Sequence, residues 1–285
     1  MRSSTLILAF PSLLVACVPE EEDDAASHES SAPDEADPLP PAECVDADSC
    51  LFEGGNTFGA DARFVEVLLP AEPVGAPVVF VWHHLNGTPE ELLAWMGTSE
   101  LIDAGYIVVG PASRSVRYTE WLVEGDPESN PDVALFDALL DQLTTQYAAD
   151  SRRVYATGFS AGALFTSYLT MHRAPSLAAT APFSGGVPTY LYDAPTAEIP
   201  VMLAWGGERD TYGGFDFAAA SEDFAVALVE DGHEVVTCPH SLGHRLPSNA
   251  EAHVLAFFDD HGGEGERPWP DSPARVPSGC ELFAP

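Results

Sequence analysis

The chain has 285 residues, and its 45 acidic side chains against 11 basic ones, all of them Arg, give a formal net charge of −34. That balance excludes a surface built to neutralise phosphate, on nucleic acid or on anionic lipid headgroups, because either needs a basic patch. A hydrophobic content of 46% and an aromatic content of 10% are those of a globular protein, and the roughly 240 residues beyond the N-terminal region suit one large α/β domain.

The N-terminus reads as an address. Met1-Arg2 is a short basic start, and Thr5 to Ala16 is an apolar stretch too short to span a bilayer as a helix. It ends in Leu14-Val15-Ala16-Cys17, which resembles a bacterial lipobox. That resemblance implies a signal peptide over 1–16 and a diacylglycerol thioether on Cys17. Val18 rather than Asp follows, which implies passage to the outer membrane. Residues 18–43 carry ten acidic side chains, five Pro and no Lys or Arg. Such a segment cannot bury enough apolar surface to offset its ordering entropy, so residues 17–43 are expected to be a solvated tether. The domain is expected over 44–285, exported and lipid-anchored to the cell envelope, touching membrane only through that lipid.

Strand-like and helix-like segments then alternate. Arg63–Leu69 reads as a strand, and Val78–His83 as one buried on both faces. Thr88–Gly105 reads as a helix, with Thr88 as N-cap, Pro89 at N1 and Gly105 as its stop. Tyr106–Gly110 is the next strand. Pro131–Tyr147 is a helix with apolar residues at a 3–4 spacing. Strand Val154–Gly158 and helix Ala161–His172 follow, then strands Ala178–Phe183 and Pro200–Trp205, helix Phe217–Asp231, strand Glu234–Cys238 and helix Asn249–Asp259. This alternation implies βαβ units in a mostly parallel, doubly wound sheet flanked by helices.

Between strand and helix lies Gly158-Phe159-Ser160-Ala161-Gly162. A Gly-x-Ser-x-Gly in that setting places a hydroxyl on a tight turn at the carboxyl end of the sheet, with a helix N-terminus beside it to favour developing negative charge. Small residues two positions either side let the turn approach its neighbours. A Ser hydroxyl needs a base, and the base an orienting acid, in the order Ser, acid, His. His244, in a loop between the last predicted strand and helix, is the better placed base, with His240 its competitor. Asp210 follows the strand Pro200–Trp205, with Glu208 as competitor and Asp216 behind it.

Ser160, Asp210 and His244 stand in segments that resemble the polyhydroxybutyrate depolymerase and feruloyl esterase-like branch of the α/β-hydrolase superfamily. RVYATGFSAGA is similar to its nucleophile elbow, GERD to its acid motif, LGHRLP to its histidine motif, DVALFDALLDQL to its helix before the elbow and GYIVVGPAS to its preceding strand and loop. The resemblance spans most of residues 63–260. It selects Asp210 over Glu208 and His244 over His240. It implies a single-domain α/β-hydrolase fold and hydrolysis of a small or polymeric ester through an acyl-enzyme, with no cofactor and no metal. The first oxyanion N–H is then that of Ala161 and the second that of Leu85. Four positions depart from the pattern. His84 and Asn86 stand where Gly is usual, Trp205 replaces a His, and Leu246 replaces a Trp.

His83 and His84 are expected at the substrate pocket; no carboxylate–His cluster supports a metal there. Residues 113–130 form an insertion at the active edge, in which Tyr118 and Trp121 either line the pocket or anchor the loop. With Cys17 lipidated, four cysteines remain, and pairing of Cys44 with Cys50 and of Cys238 with Cys280 is expected. Two other functions share these residues: a serine peptidase, and a binding lipoprotein that has lost catalysis.

Overall fold

Strands form where β-branched and aromatic residues run together, and each sends alternate side chains to opposite faces. A computed structural model describes residues 50–114, 121–262 and 276–284, all within one unit, Pro38–Pro285. The expected signal peptide, Cys17, the acidic tether, Cys44 and Tyr118 lie outside the described residues.

The strands are β1 (Gly54–Phe58), β2 (Arg63–Leu68), β3 (Val78–Trp82), β4 (Ile107–Pro111), β5 (Val154–Phe159), β6 (Ala179–Phe183), β7 (Val201–Trp205), β8 (Thr211–Tyr212), β9 (Phe215–Asp216), β10 (Val235–Pro239) and β11 (Glu281–Leu282). Among the described residues, nine of them make one sheet in the order β1-β2-β4-β3-β5-β6-β7-β10-β11. Pairing is parallel from β4 to β10; β1, β2 and β11 join antiparallel at the edges. β8 and β9 form a separate small hairpin.

The helices are α1 (Pro89–Met96), α2 (Ser99–Asp103), α3 (Pro131–Tyr147), α4 (Ala161–His172), α5 (Phe217–Glu230) and α6 (Ala250–Asp259). One face of the sheet, which includes Val78, Phe80 and Trp82 of β3, is covered by α3, α4 and α5, and these bring Phe136, Phe165 and Phe224 to the same core. The other presents Val79 and Val81 to α1, α2 and α6, with Leu92, Leu101 and Phe257. The expected doubly wound α/β-hydrolase sheet is therefore present. β4 lies on one side of β3 and β5 on the other, so the chain reverses its winding at β3. The crevice beyond the carboxyl ends of β3 and β5 is the switch point where open α/β sheets bind ligands.

The helix expected over Thr88–Gly105 is two helices. Thr88 caps the first as foreseen, its hydroxyl accepting from the Glu91 N–H at 3.2 Å. The chain then breaks at Gly97, with φ 76°. Glu251 of α6 explains the break: its carboxylate accepts the Glu100 N–H at 2.6 Å, and a Cβ on Gly97 would meet that carboxylate at 2.5 Å. The cap comes from a residue far away in sequence, so no local pattern announces it. β1, a GGNTF segment with no apolar run, and the two-residue strands β8, β9 and β11 were likewise not foreseen.

Trp121, in the insertion before α3, is buried, T-shaped on Trp82 and stacked on Phe165, and its indole N–H donates to the His83 carbonyl at 2.8 Å. Of the two roles considered for it, loop anchor is the observed one. The Leu122 N–H donates to Asp132 at 2.9 Å, and Asp132 also pairs with buried Arg63. Removing one partner strands the other charge in the core. Asp132→Ala is therefore expected to cost about 3–5 kcal/mol in urea unfolding; a midpoint equal to wild type would contradict this.

Cys238 and Cys280 form the expected disulfide. Cys50 is also disulfide-bonded, and its expected partner, Cys44, is not among the described residues. Among those residues no helix is long and apolar enough to cross a membrane.

Candidate active site

Ser160 sits between β5 and α4 with φ 57° and ψ −118°, a backbone that L-residues adopt only under constraint. Two hydrogen bonds hold it. Its N–H donates to the Phe183 carbonyl at 3.0 Å, and its carbonyl accepts from Leu164 N–H at 2.9 Å. The flanking glycines allow the close approach. A Cβ on Gly162 would lie 1.8 Å from the Trp82 carbonyl oxygen, and one on Gly158 2.7 Å from the Gly162 backbone. The turn is thus pressed against the end of β3, and the hydroxyl projects into the crevice.

The loops after β7 and β10 supply the other two groups. Gly206 and Gly243 bring them together: the Gly243 N–H donates to the Gly206 carbonyl at 3.1 Å, and a Cβ on Gly206 would lie 1.9 Å from the Gly243 oxygen. His244 then lies with Nε2 2.8 Å from Ser160 Oγ and Nδ1 2.7 Å from Asp210 Oδ1. Its ring stacks with Phe159 and Tyr212 and packs on Phe217 at 4.3 Å. Asp210 is fully buried and accepts two further bonds on Oδ2, from the Gly206 N–H and the Ser184 hydroxyl, each at 2.7 Å. Burial alone pushes its carboxyl up. The bonds from His244, Gly206 and Ser184 outweigh that and hold it below the usual carboxylate range.

A depressed folded-state pKa stabilises the fold above the unfolded value, about 3.9 for Asp. The contribution disappears as pH falls through the lower folded value. The stability gap between wild type and Asp210→Asn is accordingly expected to be full at pH 6 and to shrink below about pH 4. A gap that widens on acidification would contradict this.

The structure thus brings Ser160, His244 and Asp210 into one hydrogen-bonded chain, and it leaves out the competitors. Glu208 is exposed, Asp216 caps α5 by accepting from the Ala219 N–H, and His240 accepts from the Leu242 N–H at 3.3 Å. Above Ser160 lies a cleft of about 700 Å³, lined by His84, Leu85, Asn86, Glu91, Trp95, Phe159, Tyr212 and residues 244–248. Leu85 and Ser160 therefore face one cavity, and Ala161 opens α4 beside it.

His83 does not line the cleft and is corrected to a buried structural residue. Its Nδ1 bonds the His84 carbonyl at 2.8 Å and its Nε2 accepts the Ser113 N–H at 3.0 Å, so both ring nitrogens are occupied within the protein. Trp121 is corrected in the same way. Among the described residues, Cys238, His253 and Cys280 are grouped as metal ligands would be, but both sulfurs are spent on the disulfide. Ser184, Trp95 and Tyr212 were missed. For Ser184 a signal existed: the small-residue run Ser184-Gly185-Gly186 directly after β6, the neighbour of β5.

This strand order, with a serine elbow at its switch point and an Asp–His pair from the two following loops, defines an α/β-hydrolase. Within that superfamily the chain belongs to the dienelactone hydrolase family, whose sequence profile matches residues 65–231. The match takes in Ser160 and Asp210 and ends before His244. Among curated proteins the chain is 27% identical over 222 residues to "Putative esterase NocK" of Nocardia uniformis subsp. tsuyamanensis, covering 74% of this chain and 59% of that protein. It is 29% identical over 143 residues to "Bifunctional acetylxylan esterase/xylanase XynS20E" of Neocallimastix patriciarum, covering 50% of this chain and 20% of the other. The chain thus spans less than two thirds of the length of either relative. Among solved structures, native sOPH superposes with a TM-score of 0.70 at 17% identity, over 84% of this chain and 96% of that one. That likeness is one of fold.

Proposed function

We propose that the protein is a carboxylic ester hydrolase acting through an acyl-enzyme on Ser160. The observation that carries this reading is the His244 imidazole, within hydrogen-bond distance of a strained serine hydroxyl on one side and a buried carboxylate on the other. His244 Nε2 takes the hydroxyl proton as Oγ bonds the ester carbonyl carbon. The carbonyl electron pair moves onto oxygen, where the N–H groups of Ala161 and Leu85 stabilise it. As the tetrahedral centre collapses, the carbon–oxygen bond to the alcohol breaks and His244 returns the proton to the leaving oxygen. Water repeats the sequence and frees the acid. Asp210 keeps Nδ1 protonated and stabilises the imidazolium. Membership of the dienelactone hydrolase family and the esterase names of both relatives support the reaction class.

The resemblance to polyhydroxybutyrate depolymerases and feruloyl esterases, with the acetylxylan esterase name of one relative, sets the substrate panel: short acyl, feruloyl, acetyl-sugar and polyester substrates. The lipobox-like Leu14-Val15-Ala16-Cys17 supports, as part of the same proposal, attachment to the cell envelope through lipid on Cys17.

The test is release of p-nitrophenol from its acetate and butyrate esters by the wild-type domain and by Ser160→Ala. The proposal expects hydrolysis by the first and background for the second; equal rates would contradict it.

A further inference from the structure

The loop that follows β3 carries an imidazole where a small residue was expected, and the ring is wedged in place. His84 stacks on Trp95 of α1, with centroids 4.6 Å apart and planes at 17°. The ring also covers Gly87, where an added Cβ would meet it at 2.5 Å. The Gly87 N–H donates to the His84 carbonyl at 3.0 Å, closing a turn over Leu85 and Asn86, and Asn86 takes φ 60° to complete it. Nδ1 of His84 is buried without a hydrogen-bond partner, and Nε2 stands 3.8 Å from the Glu91 carboxylate. The ring meets its neighbours at this segment through its faces. Its shape and its stacking hold the segment.

The next residue, Leu85, carries the N–H assigned above to the oxyanion. A donor in that role is effective only when it is fixed before the charge develops. Glycine-rich loops achieve a fold-back by backbone freedom; here a turn with Leu85 and Asn86 at its centre is clamped from the outside by an aromatic stack.

We propose that His84 is a positioning residue: its stack on Trp95 holds the Leu85 N–H at the oxyanion site. This rests on the ester-hydrolase reading. Because the oxyanion exists in the transition state and not in the bound ester, loosening the clamp lowers kcat by more than it changes KM.

His84→Gly is expected to lower kcat about tenfold to a hundredfold, with a smaller change in KM because His84 also lines the cleft. His84→Phe, which keeps a ring against Trp95, is expected to restore kcat to within about threefold. Trp95→Ala approaches the stack from its half-exposed side and keeps the loop sequence intact, so it serves even where His84→Gly folds poorly. It is expected to lower kcat about threefold to tenfold. Affinity for a trifluoromethyl ketone, which Ser160 converts to a hemiketal oxyanion, should fall in parallel with kcat across the series. An unchanged kcat in His84→Gly and Trp95→Ala would overturn the inference. So would a His84→Phe protein as slow as His84→Gly, since the imidazole nitrogens would then be what matters. Both outcomes presuppose an active wild type; a wild type that hydrolyses no ester overturns the underlying reading, and this inference with it.

Discussion

Ser160→Ala and His244→Ala are each expected to lower kcat by about 10⁶-fold, and the double variant is expected to lose no more. The reason is that both groups serve one proton path. With the imidazole gone, the hydroxyl at Ser160 has no base within reach; with the hydroxyl gone, the base has no nucleophile to activate. Asp210→Asn tests the third link and should cost about 10⁴-fold. An Asn oxygen can still accept from Gly206 and Ser184 in place of Oδ2. That orientation turns the amide NH2 toward Nδ1, which must then accept rather than donate. The proton moves to Nε2, and the lone pair needed by Ser160 Oγ is lost. Hydrolysis of p-nitrophenyl butyrate measures all four variants, with near-ultraviolet circular dichroism as the control for folding. Additive losses in the double variant would show that the two residues act separately and would contradict the account.

Gly162→Ala is expected to damage the fold itself. A Cβ there lies 1.8 Å from the Trp82 carbonyl oxygen; the backbone fixes both atoms, so no side-chain rotation relieves the clash. Relief requires α4 to move off the end of β3, where Trp82 packs against Phe165 of that helix at 4.9 Å. A loss beyond about 4 kcal/mol follows, large enough to lower the melting temperature by about 10 °C or more. Gly206→Ala meets a comparable obstacle, the Gly243 oxygen at 1.9 Å, but between two loops rather than between a helix and a strand. It should separate Asp210 from His244 while the sheet stays intact, losing activity with a smaller change in melting temperature. A Gly162→Ala protein with wild-type stability would contradict the packing described here.

These two glycines also show what a sequence discloses and what it withholds. Gly162 was legible because its constraint is local: strand, small residue, Ser, small residue, helix. The buried strand VVFVW and the capped start of α1 at Thr88 were legible for the same reason. Gly206 was not, because the atom that excludes a side chain there belongs to Gly243, on another loop. Nor was the break at Gly97, whose capping carboxylate comes from Glu251. Ser184 carries a hydrogen bond to Asp210 that spacing alone does not indicate. His83 and Trp121 looked like pocket residues by their place at the sheet edge. The choice between lining a cleft and filling the core beneath it depends on contacts distant in sequence: Trp121 to the His83 carbonyl, and Leu122 to Asp132. Order along the chain picked out the Ser, Asp and His segments; the resemblance then chose Asp210 over Glu208 and His244 over His240. The aromatic walls that define the cleft, Trp95 and Tyr212, come from α1 and from the β8–β9 hairpin.

The most direct measurement is reaction of the wild-type protein with a fluorophosphonate, followed by peptide mass spectrometry. The account predicts one phosphonyl group per chain, on the peptide containing Ser160, and loss of that labelling in His244→Ala. A protein left unlabelled, or labelled at another residue with Ser160 untouched, would contradict it.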